Sequence, residues 1–348
     1  MKKLKITTIY ILLLCFSLFL SSCSFVKPTD DSTPVVSIPK ATVCVTLVYN
    51  NGNADSKNNI TYNSVFTEPT KPTRNNYNFD NWYKDSNFKN TYDFSSKVTT
   101  DITIYAKWTI DYPTVQNTIS TTHIRACVTV EVEFYNTNTL GGKTEWKIKS
   151  GSGVIFETGK YSNSSNNYYA VLTNNHVTYK SAEYAKYSNR SITIVDYLGN
   201  SYPANGSDEI SANDAAYDLS IILFTKKTTE LYVIKPAAKN PVINQELVAI
   251  GQPKGQANTI TYGTVSQYST VQVKDSSPLS SNVTFPIIIH SAPGAGGSSG
   301  GPILDMNLNL IGINYAGSST TAEFSLSAFE CMCAIPIEKV NEFLVKYF

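Results

Sequence analysis

Gly296-Gly297-Ser298-Ser299-Gly300-Gly301-Pro302, followed by the strand-forming Ile303-Leu304, is the stretch whose reading decides how the rest of the chain is understood. Glycine adopts positive φ without steric cost and lets the backbone approach a ligand closely. A serine set among glycines can therefore stand on a tight turn while neighbouring N–H groups converge on one point. Ser299 is then a candidate nucleophile, and the N–H groups of Gly297 and Ser299 a candidate oxyanion hole. Preorganised donors of this kind stabilise a tetrahedral acyl intermediate, and losing one costs about 10²–10³ in rate. The plainer reading of the same composition is a Gly/Ser loop that only punctuates a turn.

A serine hydroxyl needs a general base to attack at neutral pH, and the chain holds only three histidines, His123, His176 and His290. His176 ends the segment Ala170-Val171-Leu172-Thr173-Asn174-Asn175-His176-Val177, where an apolar strand runs into a polar turn that can present the imidazole. His123 lies in a Thr-rich stretch and His290 closes the apolar run from Phe285, so both read as structural. Downstream of His176, Asp218 opens the buried-type strand Leu219-Ser220-Ile221-Ile222-Leu223 and is the candidate orienting acid. Asp214 is the alternative, four residues earlier and without the following apolar strand.

At these residues the chain resembles the trypsin-like (chymotrypsin-fold) serine peptidases, in particular their HtrA/Deg-like and glutamyl-endopeptidase-like branch. The T-x-x-H-V segment is matched by Thr173 to Val177, the D-[LI]-[AS] strand by Asp218-Leu219-Ser220, and G-x-S-G-G-P by Gly297 to Pro302. Gly151-Ser152-Gly153-Val154, Gly251-Gln252-Pro253, Gly263-Thr264-Val265-Ser266, Gly312-Ile313-Asn314 and Ala334-Ile335-Pro336 follow the family's order as well. The resemblance spans roughly residues 123 to 348. It implies an all-β fold of two six-stranded barrels with a C-terminal helix, and a serine endopeptidase acting on protein or peptide substrates without cofactor or metal. In that frame Ser299 is the nucleophile, His176 the base, Asp218 its orienter, and the N–H groups of Gly297 and Ser299 the oxyanion hole. The implied substrate pocket is lined by Gly294, Ala295, Asn314, Tyr315 and Gly317, none of them charged. Burying an unpaired Arg or Lys there is costly, and Asn314 stands where glutamyl endopeptidases carry a histidine. The expectation is a preference for small or medium apolar side chains.

The chain's beginning has the pattern of an export signal. Lys2, Lys3 and Lys5 precede the apolar run Ile6 to Leu20, a charged-then-hydrophobic order typical of secretion and short for a transmembrane helix of about 20 residues. Leu20-Ser21-Ser22-Cys23 resembles the lipobox of bacterial lipoproteins, which implies lipidation at Cys23 and a membrane-anchored, extracytoplasmic location; the alternative is an ordinary secretion signal with an incidental cysteine. The expected organisation is a lipoprotein signal over 1–22, a Pro- and Thr-rich tether over 23–40, a small β module over 41–110, a linker over 111–122 and the peptidase domain over 123–348. Within the small module, Tyr77-Asn78-Phe79-Asp80-Asn81-Trp82-Tyr83 and Ile104-Tyr105-Ala106-Lys107-Trp108 resemble one Listeria–Bacteroides (internalin B-type) repeat, with Asn76 and Asn81 in place of glycines. Its aromatics serve either a core or an exposed face that binds a cell-wall or host surface ligand.

Beyond residue 123, short alternating runs from Ala126–Phe134 through Leu308–Asn314 to Glu330–Ile335 predict the strands of a barrel architecture. Ile337, Val340 and Leu344 after Pro336 predict a closing helix. Charged residues make up 16% of the chain, well below the usual ~25%. The net charge of +1, with Lys and Arg dispersed, gives no field to attract nucleic acid. No Cys/His cluster has metal-ligand spacing. Of the six cysteines, Cys15 and Cys23 lie in the signal, and Cys44 belongs to the small module. Cys127 then has Cys331 or Cys333 as a disulfide partner, with free buried thiols the other possibility. Two other functional classes stand beside the enzyme: a catalytically silent peptidase homologue, and a surface adhesin acting through the repeat module.

Overall fold

The computed structural model describes residues 41–160, 166–205, 209–227, 230–270, 281–317 and 332–348. The signal, Cys23 and the tether lie outside the described residues, as does Cys331. Strands β1 (Thr42–Val48), β2 (Ser56–Thr61), β3 (Ser64–Val65), β4 (Tyr77–Tyr83), β5 (Lys97–Val98) and β6 (Ile102–Ile110) form the first module. Its main sheet has the order β2-β1-β6-β4, with β1 and β6 parallel, and β3 and β5 pair separately. Alternation in β1 turns Val43, Val45 and Leu47 inward onto Trp82, Ile104 and Ala106.

The aromatics of this module are mostly core. Trp82 is fully enclosed, and Phe79 meets Trp82 and Trp108 edge-on at 5.5 and 5.6 Å. Such contacts add to area burial, which a sheet this small needs. Asn76 sits at φ +66, the left-handed region that the family's glycine would occupy. Asparagine is among the few other residues that tolerate this region. The Asn81 side chain accepts the Trp82 N–H at 2.8 Å, where the β4–β6 register shifts between Phe79 and Trp82.

The stretch 111–122, expected as a linker, is instead helix α1 (Tyr112–Thr121). Asp111 caps it by accepting the Thr114 N–H, and Pro113 lies in its first turn, where a missing N–H costs nothing. Val115 and Ile119, four residues apart on one face, are fully buried in the main core. The small module is thereby seated on the larger body. Asn76 Nδ2 donates to the Met306 carbonyl at 2.9 Å, and the Tyr112 hydroxyl donates to Glu246 at 3.0 Å.

The larger body contains two β units. The first comprises β7 (Cys127–Thr137), β8 (Lys143–Lys160), β9 (Asn167–Thr173), the single helical turn α2 (Asn175–Thr178), β10 (Asn189–Val195), β11 (Ser201–Pro203), β12 (Ala212–Asp214) and β13 (Leu219–Lys226). They form a seven-stranded sheet in the order β11-β10-β7-β8-β9-β13-β12. It is open by ladder pairing, and a bridge joins Ala204, just after β11, to Phe224 on β13. The second unit is a closed barrel of β14 (Glu246–Gly251), β15 (Thr259–Ser269), β16 (Ile287–His290), β17 (Pro302–Asp305), β18 (Leu310–Gly317) and β19 (Met332–Pro336). Its order β14-β15-β16-β19-β18-β17 closes where β14 pairs with β17. Helix α3 (Ile337–Tyr347) follows, burying Ile337, Val340 and Phe343. One core runs between the two units, from Val128 and Ile155 to Ile289 and Ile335. Cys127 is a free thiol in that core, pushed up to about 12 by burial, and it forms no disulfide with Cys333 on β19.

Candidate active site

β9 and β13 are antiparallel neighbours, paired at Thr173 and Ser220. This register places the turn after β9 beside the turn before β13, and so His176 beside Asp218. His176 Nδ1 lies 2.6 Å from Asp218 Oδ2, and the His176 backbone N–H donates to Oδ1 at 2.8 Å. A carboxylate only accepts, so Nδ1 carries the ring proton and Nε2 keeps its lone pair. Asp218 is fully buried, which pushes its carboxyl above the usual range; the facing imidazole and the donors from His176 and Ser281 oppose that shift. The Asp218 backbone stands at φ +49, a left-handed geometry that costs a non-glycine residue free energy unless its surroundings hold it. Here the Asp218 carbonyl accepts from Asn174 Nδ2 at 2.9 Å and from the Asn175 N–H at 3.1 Å. Lys149 on β8 reaches under the same turn and donates to the carbonyls of His176 and Tyr179 at 3.1 and 2.6 Å. Burial lowers its amine to about 8. Asp214 is engaged elsewhere, with the Tyr347 hydroxyl and the Lys346 ammonium at 2.8 and 3.2 Å.

The nucleophile candidate comes from the other unit, on the loop between β16 and β17. Gly297 has φ +100, and a Cβ there would lie 2.4 Å from the Gln252 carbonyl oxygen. Gly300, at φ +88, would place a Cβ 2.1 Å from the Ser152 carbonyl oxygen. Both positions therefore demand glycine. Ser152 on β8 ties the loop to the first unit: its N–H donates to the Ser299 carbonyl and its hydroxyl to the Gly297 carbonyl, each at 2.8 Å. Among the described residues, neither the Gly297 nor the Ser299 N–H donates to a backbone acceptor. The Ser299 hydroxyl donates to the Tyr315 carbonyl at 3.1 Å, and no hydrogen bond joins it to His176. The Tyr315 ring stands edge-on to His176, with 6.2 Å between centroids. His176 and Ser299 thus each contact Tyr315, one by its ring and the other by its hydroxyl, and no hydrogen bond joins them.

The residues expected in the substrate pocket divide. Gly294 and Gly317 both lie against Met332: a Cβ on Gly294 would touch Met332 Cε at 2.6 Å, and Gly317 pairs with Met332 in the sheet. The Ala295 N–H points to the Ser298 hydroxyl at 3.3 Å. Asn314 is almost wholly enclosed. Tyr315 is used differently from the expectation, since its phenol turns inward to Ser281, at 2.9 Å, and its ring is buried rather than a pocket wall. His290 is also fully buried. Sequence reading missed Asn174, Ser281 and Gln252. Only Asn174 and Gln252 carried a signal, as they fall within matched motifs.

Two family models match the chain: the trypsin-like peptidase domain over residues 151–313 and the Listeria-Bacteroides repeat domain over residues 45–107. Residues 151–313 thus match the trypsin-like peptidase domain, and they are preceded by a stretch that matches the Listeria–Bacteroides repeat domain. Protease Do-like 5, chloroplastic, of Arabidopsis thaliana is 29% identical over 173 residues, which is 49% of this chain and 51% of that protein. The chain spans about half the length of this relative. Among solved structures, the HtrA-type protease AlgWS227A with tripeptide is similar at a TM-score of 0.46 and 24% identity, covering 67% of this chain and 62% of that one. The same protease with decapeptide is similar at a TM-score of 0.47 and 21% identity, covering 67% and 66%.

Proposed function

We propose that the protein is a serine endopeptidase that hydrolyses peptide bonds with Ser299 as nucleophile, His176 as base and Asp218 as orienter, and that it works outside the cytoplasm on a lipid anchor at Cys23. The observation that carries this reading is the 2.6 Å contact from His176 Nδ1 to the fully buried Asp218 carboxylate. It leaves the Nε2 lone pair to accept a proton in the proposed reaction.

In this mechanism a peptide carbonyl enters beside Ser299. The Ser299 hydroxyl leaves the Tyr315 carbonyl by rotation about its Cα–Cβ bond and passes its proton to His176 Nε2 as Oγ attacks. The N–H groups of Gly297 and Ser299 hold the oxyanion, for which the +100° φ of Gly297 supplies the backbone path. The imidazolium, stabilised by Asp218, returns the proton to the leaving amine, and water then repeats the cycle on the acyl-enzyme. For the substrate side chain, the Met332 side of Gly294 and the absence of a carboxylate among the described pocket residues favour small or medium apolar groups. The repeat domain is proposed to hold the enzyme at a cell-wall or host surface ligand.

The purified chain should hydrolyse a peptide library, and Ser299→Ala should remove nearly all of that activity while the thermal melt stays unchanged. Hydrolysis by Ser299→Ala within about tenfold of wild type would be incompatible with the assigned nucleophile.

A further inference from the structure

One strand underlies both halves of the site. On β8 the Ser152 N–H donates to the Ser299 carbonyl at 2.8 Å, and a Cβ on Gly151 would meet Val177 at 2.7 Å, so the strand passes beside the turn that carries His176. Lys149, two residues before Gly151, leaves the strand on the same side. Its Nζ donates to the carbonyls of His176 and Tyr179 at 3.1 and 2.6 Å. These carbonyls belong to α2 and its C-terminal flank, a single helical turn with no later turn to supply N–H donors. Among the described residues, no backbone N–H donates to either of them. A lysine can bind such carbonyls from the side, and Lys149 thus does what a second helical turn would do.

The amine lies over two aromatic rings, with its Nζ 5.5 Å from the Phe134 centroid and 5.3 Å from that of Tyr184. Burial lowers it to about 8. The charged groups that face it are Glu183, Arg190 and Asp218, of which Glu183 is paired with Lys147 and Arg190 with Glu209. At neutral pH the folded chain therefore holds an ammonium that its surroundings disfavour, a cost that an apolar side chain of similar length would not carry. Stability alone gives no reason for the charge. We propose that Lys149 is a positioning residue, whose ammonium binds the carbonyls of His176 and Tyr179 and so holds the imidazole where it can serve Ser299. β8 then seats both partners of the proton transfer, the base through Lys149 and the nucleophile through Ser152. This inference rests on the triad proposed above.

The test compares the full chain with Lys149→Met and Lys149→Arg. Lys149→Met keeps the length of the side chain without its donors and releases the turn, so kcat should fall about 10²-fold, the scale of a misplacement of about 1 Å, with KM nearly unchanged. Its thermal melt should stay within about 2 °C of wild type or rise, because the folded chain no longer carries a disfavoured charge. Lys149→Arg keeps both charge and donors and should recover kcat to within about threefold. The pH profile separates the variants further. Wild-type kcat should fall as pH rises through about 8, where the amine gives up its proton and becomes a weaker donor. In Lys149→Arg that fall should be absent, since a guanidinium stays charged. An unchanged kcat in Lys149→Met, a kcat loss accompanied by a large drop in Tm, or an alkaline fall that persists in Lys149→Arg would each overturn the proposal. The low-field proton resonance of His176 Nδ1–H provides a readout that needs no turnover. It should shift in Lys149→Met and return in Lys149→Arg even if the wild-type chain hydrolysed nothing, so failure of the peptidase reading and failure of this one are told apart. A resonance unmoved in Lys149→Met would rule out the positioning role.

Discussion

The two walls of the site are built on opposite principles. On the wall from the first sheet, His176 and Asp218 are held mainly through side chains: the Asn174 amide, with the Asn175 backbone N–H, fixes the Asp218 carbonyl, the carboxylate takes both the ring and backbone N–H of His176, and Lys149 donates to the carbonyls of the same turn. On the wall from the closed barrel, the Ser299 loop is held by backbone geometry, with Gly297 and Gly300 pressed against the carbonyls of Gln252 and Ser152. The difference follows from what each wall must present. A buried charge needs many fixed donors to remain charged. An oxyanion site must leave its N–H groups unengaged, which glycine turns achieve without side chains to satisfy.

If the first wall works through charge orientation, Asp218→Asn is the most damaging conservative change available to it. The amide has the shape of the carboxylate but donates where Asp218 accepts, so it favours the His176 tautomer whose proton sits on Nε2. A loss of about 10⁴ in kcat with the fold retained is expected, by analogy with the same change in the template triad. Steady-state kinetics with an active peptide substrate checks it. A loss of less than about tenfold would mean that Asp218 is a structural cap and not an orienter.

The second wall should fail through shape alone. Gly297→Ala places a Cβ 2.4 Å from the Gln252 carbonyl oxygen at a φ of +100, so the loop must move and take the Gly297 N–H with it. The expected cost is about 10²–10³ in kcat, the range for loss of one oxyanion donor, with little change in KM. Gly296→Ala is the control, since a Cβ there meets nothing within 4 Å. Equal effects at Gly296 and Gly297 would break the comparison between the walls.

The same contrast explains what could be seen in the sequence beforehand. Period-2 alternation announced β7, and continuous apolar runs announced β9, β13 and β14, because those strands bury one or both faces in the shared core. The candidates His176 and Asp218 were legible because each flanks an apolar strand, β9 or β13, and Ser299 because glycines surround it. Helix α1 was hidden, as Thr114, Asn117 and Thr118 are poor helix formers and only Val115 and Ile119 carry the apolar signal. Tertiary burial of those two residues outweighs the propensity. Ser281 was invisible for a different reason: its neighbours Ser276, Ser277 and Ser280 read as a polar loop, and nothing local distinguishes the hydroxyl that meets the Tyr315 phenol.

The smallest effect concerns a buried titratable group in each unit. Asp218 takes several donors, whereas His290 on β16 is equally buried with no hydrogen-bond partner for either ring nitrogen among the described residues, the Asn314 side chain being the polar group beside it. Burial pushes the His290 pKa down to about 4, below the value of about 6.5 for an unfolded histidine. Between those values the unfolded chain binds the proton and the folded chain does not. The contribution to stability is therefore complete above about pH 6.5 and is lost as pH falls toward 4, by roughly 3 kcal/mol at most. His123, also lowered by burial, acts in the same direction, and the raised Asp218 acts against both. His290→Leu removes one of these contributions and leaves the others. Thermal melts at pH 7.5 and pH 4.5 should then show a smaller acid-induced drop in Tm for His290→Leu than for wild type, by a few degrees. An equal drop in the two proteins would show that His290 is hydrated or paired in the folded chain, and that the second unit tolerates a buried charge as the first does.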